Sequence, residues 1–107
     1  MVNLTRIYTR TGDDGSTALV DMSRTRKTDL RLVAYADVDE TNAAIGVALA
    51  MGELSPELAA TLTRVQNDLF DVGADLGNPV VAEPKHPPLR VTDVYVEWLE
   101  RACDDYN

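Results

Sequence analysis

The most regular apolar pattern in this chain lies between residues 55 and 77. Apolar residues there alternate spacings of four and three and so share one helix face: Leu58, Leu62, Val65, Leu69, Val72 and Leu76. Ser55 is a favoured helix cap, and Pro56 after it suits the first helical position. The pattern predicts a helix over residues 55–77 that packs against other helices.

A second helical pattern precedes this one. Val38, Ile45 and Leu49 form a stripe at 3.6-residue spacing, and Gly52 suits the end of a helix, so we predict a helix over residues 31–53. The segment is apolar around much of its circumference, and such a helix is usually buried on more than one side. We therefore expect that the chain oligomerises or lacks a part that covers this helix.

The C-terminal third contains a loop and a third helix. Residues 78–90 include four prolines and are predicted to form a surface loop. A helix is predicted over residues 92–106, with Thr92 as its candidate cap. Its apolar set is Val91, Val94, Tyr95, Trp98, Leu99 and Ala102.

Residues 1–30 have no sustained helical period, and we interpret them as an ordered loop or extended arm. With 107 residues, 45% of them apolar, the chain is long enough for one domain over residues 1–107. The predicted fold class is therefore all-α, with about three helices preceded by an ordered N-terminal arm.

Charge is distributed unevenly along the chain. The formal net charge of −8 argues against a general nucleic-acid binder, but residues 1–31 carry +2 and residues 32–107 carry −10. An anionic ligand would therefore bind near the N-terminus, although an ordinary solvated basic segment has the same composition. No segment resembles a signal peptide or a membrane span, and the single Cys103 suits a reducing compartment. We expect a cytoplasmic protein without nucleic-acid or membrane partners.

The most informative segment is Thr9-Arg10-Thr11-Gly12-Asp13-Asp14-Gly15-Ser16-Thr17, here called the 9–17 loop. Glycines let backbone N–H groups approach an anion closely, and hydroxyl groups and an arginine add further donors. Two aspartates are poor neighbours for phosphate unless a divalent cation lies between them. The composition therefore indicates a loop for a metal-bound polyphosphate. A polar surface turn explains the same residues equally well.

Carboxylates on the predicted helices allow two interpretations. Asp39 lies three positions before Asn42, near the face that we expect to be buried, where it would need a cation or donor as a partner. Asp68, Asp71 and Asp75 recur at three and four residues, and we interpret them as a solvent face. Metal ligands remain unassigned on sequence grounds.

Several segments together resemble the PduO-type ATP:cob(I)alamin adenosyltransferases. They occur in order over nearly the whole chain. The segments are Ile7-Tyr8-Thr9-Arg10-Thr11-Gly12-Asp13-Asp14-Gly15-Ser16-Thr17, Lys27-Thr28-Asp29, Ala34-Tyr35-Ala36-Asp37-Val38-Asp39-Glu40-Thr41-Asn42, Ile45-Gly46, Gln66-Asn67-Asp68-Leu69-Phe70-Asp71-Val72-Gly73-Ala74-Asp75-Leu76 and Pro79.

The resemblance implies an antiparallel five-helix bundle that forms a homotrimer with active sites between subunits. The implied reaction transfers the 5′-deoxyadenosyl group of ATP to cob(I)alamin, with Mg²⁺, and releases triphosphate. Asp39 would pair with an arginine of the neighbouring subunit near the corrin, as the catalytic residue. The residues implied to hold the ATP triphosphate are Thr9, Arg10, Thr11, Gly12, Asp13, Gly15, Ser16, Thr17 and Lys27.

Members of the family continue for roughly another half-length, so the resemblance also implies a chain truncated at its C-terminus. The absent part would carry an arginine-rich helix that completes the ATP site. An alternative is a non-catalytic helical module that retains a phosphate-binding arm; a purely structural helical oligomer would leave the 9–17 loop unexplained. A reductase or an adenosylcobalamin-dependent enzyme is a candidate further partner.

Overall fold

The computed structural model describes residues 5–107, so the first four residues of the predicted arm lie outside the described part. Three helices dominate it, which confirms the all-α fold class, and a two-stranded sheet precedes them. Each helix begins and ends within two residues of the predicted bounds. The elements are β1 (Ser16–Ala18), β2 (Arg24–Arg26), α1 (Leu30–Met51), α2 (Pro56–Leu76) and α3 (Asp93–Tyr106).

Helices α1 and α2 form an antiparallel pair. The Arg31 guanidinium at the start of α1 donates to the carbonyl of Leu76 at the end of α2, at 2.7 Å. Halfway along the pair, the Asn42 amide donates to the Gln66 carbonyl and the Gln66 amide donates to the Asn42 carbonyl, at 3.1 and 3.2 Å. Asn42 is buried, and this reciprocal bond satisfies its amide donor. The predicted cap Ser55 is confirmed, since its hydroxyl accepts from the Leu58 N–H.

The N-terminal arm contains a hairpin that the sequence did not predict. Strands β1 and β2 pair antiparallel, with Ser16 opposite Arg26 and Ala18 opposite Arg24. These three-residue strands consist mostly of small polar and charged residues, so they lack the apolar alternation that marks a strand. The hairpin docks on the end of α2, where the Val20 N–H donates to the carbonyl of the buried Gly77 at 3.0 Å.

Polar contacts attach α3 and the loop before it to α2. The Tyr95 hydroxyl donates to Asp71 at 2.8 Å, and this bond raises the pKa of Tyr95. Arg90 donates to Asp75 at 2.6 Å and also to the carbonyls of Asn78 and Pro79. The prediction that Asp71 and Asp75 belong to a solvent face is therefore wrong. Their partners lie 15 to 24 residues further along the chain, beyond the reach of a pattern within one helix.

The described chain buries little apolar surface. Leu32 is the one buried apolar side chain among residues 5–107, whereas Met51 and Phe70 are largely exposed. The radius of gyration is 16.9 Å, against about 13 Å for a compact domain of this length. This open arrangement agrees with the expectation that a further part of the protein or another subunit packs against α1. No helix among the described residues is long and apolar enough to cross a membrane.

Candidate functional site

Two glycines determine the path of the 9–17 loop. Gly15 has φ +86°, a conformation that L side chains rarely adopt, and its N–H donates to the Gly12 carbonyl at 3.1 Å. A Cβ atom at residue 12 would lie 2.9 Å from the Ser16 carbonyl oxygen and 3.2 Å from Lys27 Nζ. The Lys27 ammonium therefore lies directly against the loop backbone. The Lys27 N–H also donates to the Gly15 carbonyl, at 2.9 Å.

A polar network closes the loop. The Asp14 carboxylate accepts from the Ser16 hydroxyl at 2.7 Å and from the Ser16 N–H at 2.9 Å, and these bonds lower the pKa of Asp14. Arg24 Nη2 donates to the Ser16 hydroxyl oxygen at 2.6 Å and to the Thr11 carbonyl at 2.8 Å. Arg24 was not among the site residues predicted from the sequence. The only signal for it was the excess of basic residues in the first third of the chain.

The remaining predicted loop residues have varied surroundings. The hydroxyl oxygens of Thr9 and Thr11 lie 3.0 Å apart, and the Asp13 N–H donates to the Arg10 carbonyl in a turn. Arg10 has φ 63°, and its guanidinium carbon lies 5.4 Å from the centre of the Tyr8 ring. Thr17 lies in β1 opposite Thr25. Lys27 and Arg24 are thus the cations that contact the loop itself, and an exposed loop of this kind can hold a polyanion.

Asp39 lies in a different part of the molecule. It is nine residues past the start of α1, or about 14 Å along the helix. Its side chain is exposed in this chain, not buried, and borders an open groove of about 410 Å³ between α1 and α2. The groove is lined by Tyr35, Ala36, Val38, Asp39, Asn42, Leu69, Phe70, Gly73 and Ala74. It is a mostly apolar surface with one carboxylate at its edge.

Metal-binding chemistry is sparse within the described residues. Residues 5–107 contain no group of three or more His, Cys, Asp and Glu side chains that could hold a metal ion by themselves. A cation at the 9–17 loop would therefore need most of its ligands from a bound anion and water.

Comparison with known proteins places the chain in a family. The profile described as "Cobalamin adenosyltransferase" matches residues 7–107. The corrinoid adenosyltransferase of Mycobacterium tuberculosis is 63% identical over 106 residues, which are 99% of this chain and 55% of that protein. The corrinoid adenosyltransferase of Bacillus subtilis is 41% identical over 105 residues, which are 95% of this chain and 52% of that protein.

A solved structure supports the same assignment. A variant PduO-type ATP:corrinoid adenosyltransferase from Lactobacillus reuteri, complexed with cobalamin and ATP, superposes with a TM-score of 0.82 at 32% identity. The match covers 94% of this chain and 56% of that one. The chain thus spans about half the length of the relatives that it matches. By sequence and by fold, it belongs to the cobalamin adenosyltransferase family.

Proposed function

We propose that this chain carries the ATP-binding arm and one wall of the corrinoid site of an ATP:corrinoid adenosyltransferase. The observation that carries the proposal is the 9–17 loop, closed by Arg24 and overlaid by the Lys27 ammonium. The relatives' names and the cobalamin and ATP complex of the Lactobacillus reuteri protein support the choice of substrates. The proposed reaction transfers the 5′-deoxyadenosyl group of ATP to Co(I) of the corrinoid.

The loop acts on the triphosphate of ATP. Its glycines admit the phosphates close to the backbone, Lys27 supplies positive charge, and the hydroxyls of Thr9, Thr11 and Thr17 are further donors. Arg10 and Asp13 complete the set taken from the sequence. The Ser16 hydroxyl and N–H both donate to Asp14 in this structure, so we assign Ser16 mainly to building the loop.

Mg²⁺ fits this loop as the companion of the triphosphate. Mg²⁺ usually keeps phosphate oxygens, water and one or two carboxylates as ligands. The Asp14 carboxylate is engaged by Ser16, whereas the exposed Asp13 carboxylate accepts no hydrogen bond within residues 5–107. Asp13 is therefore the residue that would hold Mg²⁺. When bound, the ion would neutralise negative charge on the departing triphosphate.

The groove between α1 and α2 forms one wall of the corrinoid site. Its apolar lining and the largely exposed Phe70 suit a macrocycle, and Asp39 at its edge would pair with an arginine of a neighbouring subunit. The active protein is then a homotrimer in the cytoplasm, with sites between subunits. A reductase that supplies Co(I), or an enzyme that uses the product, is a candidate partner.

Little covalent chemistry is required of the protein. The electron pair of Co(I) attacks the 5′ carbon of ATP and forms the Co–C bond, and the C–O electron pair leaves with triphosphate. The protein holds the carbon in line with cobalt and stabilises charge on the leaving group. The loop residues serve the second task and the groove serves the first.

An anaerobic transfer assay tests the proposal. The full-length protein is mixed with chemically reduced cobalamin and Mg-ATP, and the adenosylcobalamin and triphosphate that form are quantified. We expect equal amounts of both products. Binding of ATP without transfer, in a species that also binds corrinoid poorly, would favour the alternative of a non-catalytic module. The observations in favour of that alternative are the open groove and the small number of buried apolar side chains among the described residues.

A further inference from the structure

We infer that Arg24 is a positioning residue that holds the 9–17 loop in its anion-binding shape. The inference deepens the proposed function and rests on it. One terminal nitrogen of Arg24 bonds both sides of the loop: the Thr11 carbonyl before Gly12 and the Ser16 hydroxyl after Gly15. These acceptors are five residues apart in sequence, so a single side chain from β2 closes the loop.

The two bonds also occupy two oxygen acceptors of the loop, which would otherwise be free to face a bound anion. A carbonyl oxygen aimed at a phosphate would repel it, and the bond to Arg24 neutralises this acceptor at Thr11. At Ser16 the hydroxyl oxygen accepts from Arg24 while its proton goes to Asp14. Arg24, Ser16 and Asp14 thus form a chain of bonds that fixes the second half of the loop. Arg24 acts through these residues without being required to touch the substrate.

Arg26 provides a matched control. It lies two residues further along β2, on the same face of the strand, and is exposed like Arg24. Its side chain makes no hydrogen bond within the described part of the chain. Arg26→Met therefore removes the same charge at nearly the same place but leaves the loop bonds intact. Any difference between Arg24→Met and Arg26→Met reports the geometry of the loop and not the net charge of the arm.

The experiment compares these variants of the full-length protein in the transfer assay. For Arg24→Met we expect the KM for ATP to rise about tenfold or more, with the KM for cob(I)alamin within about twofold of wild type. Arg24→Lys keeps a donor on a flexible stem and should recover part of the loss. Arg26→Met should change the KM for ATP by less than about threefold. Equal effects of Arg24→Met and Arg26→Met would overturn the inference.

A double variant separates positioning from direct contact with phosphate. If Arg24 acts through Ser16, the rise in the KM for ATP in Arg24→Met/Ser16→Ala will be smaller than the product of the single effects. If the rise in the KM for ATP in the double variant equals the product of the two single rises, Arg24 contacts the substrate independently. This result would contradict a positioning role. Circular dichroism of each variant checks folding, and Arg24→Lys serves as the test if Arg24→Met does not fold.

A binding titration makes failure of the inference distinguishable from failure of the proposed function. Calorimetry with inorganic triphosphate and Mg²⁺ needs no corrinoid and no turnover. A wild-type protein that binds triphosphate, with loss in Arg24→Met and not in Arg26→Met, supports the role of Arg24 even if no adenosyl transfer occurs. A wild-type protein that transfers adenosyl groups, with unchanged triphosphate binding in Arg24→Met, overturns the inference alone. A protein that does neither overturns both.

Discussion

The 9–17 loop and the groove between α1 and α2 are built by opposite means. The loop is closed by short polar contacts from within the chain, above all those that Arg24 makes to Thr11 and Ser16. The groove is bordered by Asp39 and Phe70, is mostly apolar and remains open to solvent. Polar contacts over short sequence distances can fix the shape of a loop locally, whereas an apolar wall becomes a site only when something packs against it.

We propose that this difference corresponds to a functional division. Substitutions in the loop should weaken the use of ATP, and substitutions along the groove should weaken the handling of corrinoid and the contacts between subunits. Variants in the two regions test this division.

The largest effect is expected for Asp39→Asn. We assign Asp39 to an ion pair that is buried when subunits assemble, and breaking one member of a buried pair costs about 3–5 kcal/mol. Steady-state kinetics should show a loss of two or more orders of magnitude in kcat/KM for cob(I)alamin, with near-normal dependence on ATP. The exposed neighbour Glu40 supplies the control, because Glu40→Gln should have little effect. If Asp39→Asn lost the use of ATP but kept the use of corrinoid, our assignment of Asp39 to the corrinoid would be wrong.

The next largest effect is expected for Asp13→Ala and Thr11→Ala. Each would remove one of the contacts that we propose to the Mg²⁺-bound triphosphate, worth about 1.5–3 kcal/mol, or roughly ten- to hundredfold in kcat/KM for ATP. The KM for cob(I)alamin should stay near the wild-type value. Glu53→Ala removes an exposed carboxylate just past the far end of α1 and is the control. Unchanged ATP kinetics in both loop variants would favour the interpretation of the 9–17 loop as a polar surface turn.

A smaller effect is expected where the arm and the proline-rich loop meet the end of α2. Arg90→Met removes the bonds to Asp75 and to the carbonyls of Asn78 and Pro79, so unfolding by denaturant should show a loss of about 1–3 kcal/mol. The Arg64–Asp68 pair, at 3.9 Å and with Arg64 half exposed, is the comparison. Asp68→Asn should cost below about 0.5 kcal/mol, because Asp68 Oδ2 accepts no hydrogen bond among the described residues and its contact with Arg64 is long. Equal losses would mean that the hydrogen bonds of Arg90 contribute no more than the long Arg64–Asp68 pair.

The smallest effect concerns pH. Hydrogen bonds from Arg90 and the Val91 N–H lower the pKa of Asp75 in the folded protein. The resulting stabilisation is present above the unfolded value of about 3.9 and is lost as the pH falls through the lower, folded pKa. Below about pH 4, the wild type should lose stability more steeply than Asp75→Asn. Parallel pH profiles of the two proteins would contradict the assigned cause.

The sequence predicted the helices well because their apolar residues repeat at a period that local packing enforces. Ser55 and Gly52 then marked helix ends to within two residues. The β1–β2 hairpin was missed because its strands are too short and polar to have a period. Arg24 and Arg90 were missed for a related reason: each bonds residues 8 to 15 positions away, and such pairings depend on how the chain turns back on itself.

The division between loop and groove is tested most directly by combining Asp13→Ala with Asp39→Asn. If the two residues serve different substrates at separate places, their losses in transition-state stabilisation are independent and add. We therefore predict that the loss in transfer activity of the double variant, measured at subsaturating ATP and cob(I)alamin, equals the product of the two single losses. A double variant no less active than the worse single variant would show that the two residues act as one unit, and it would contradict the division.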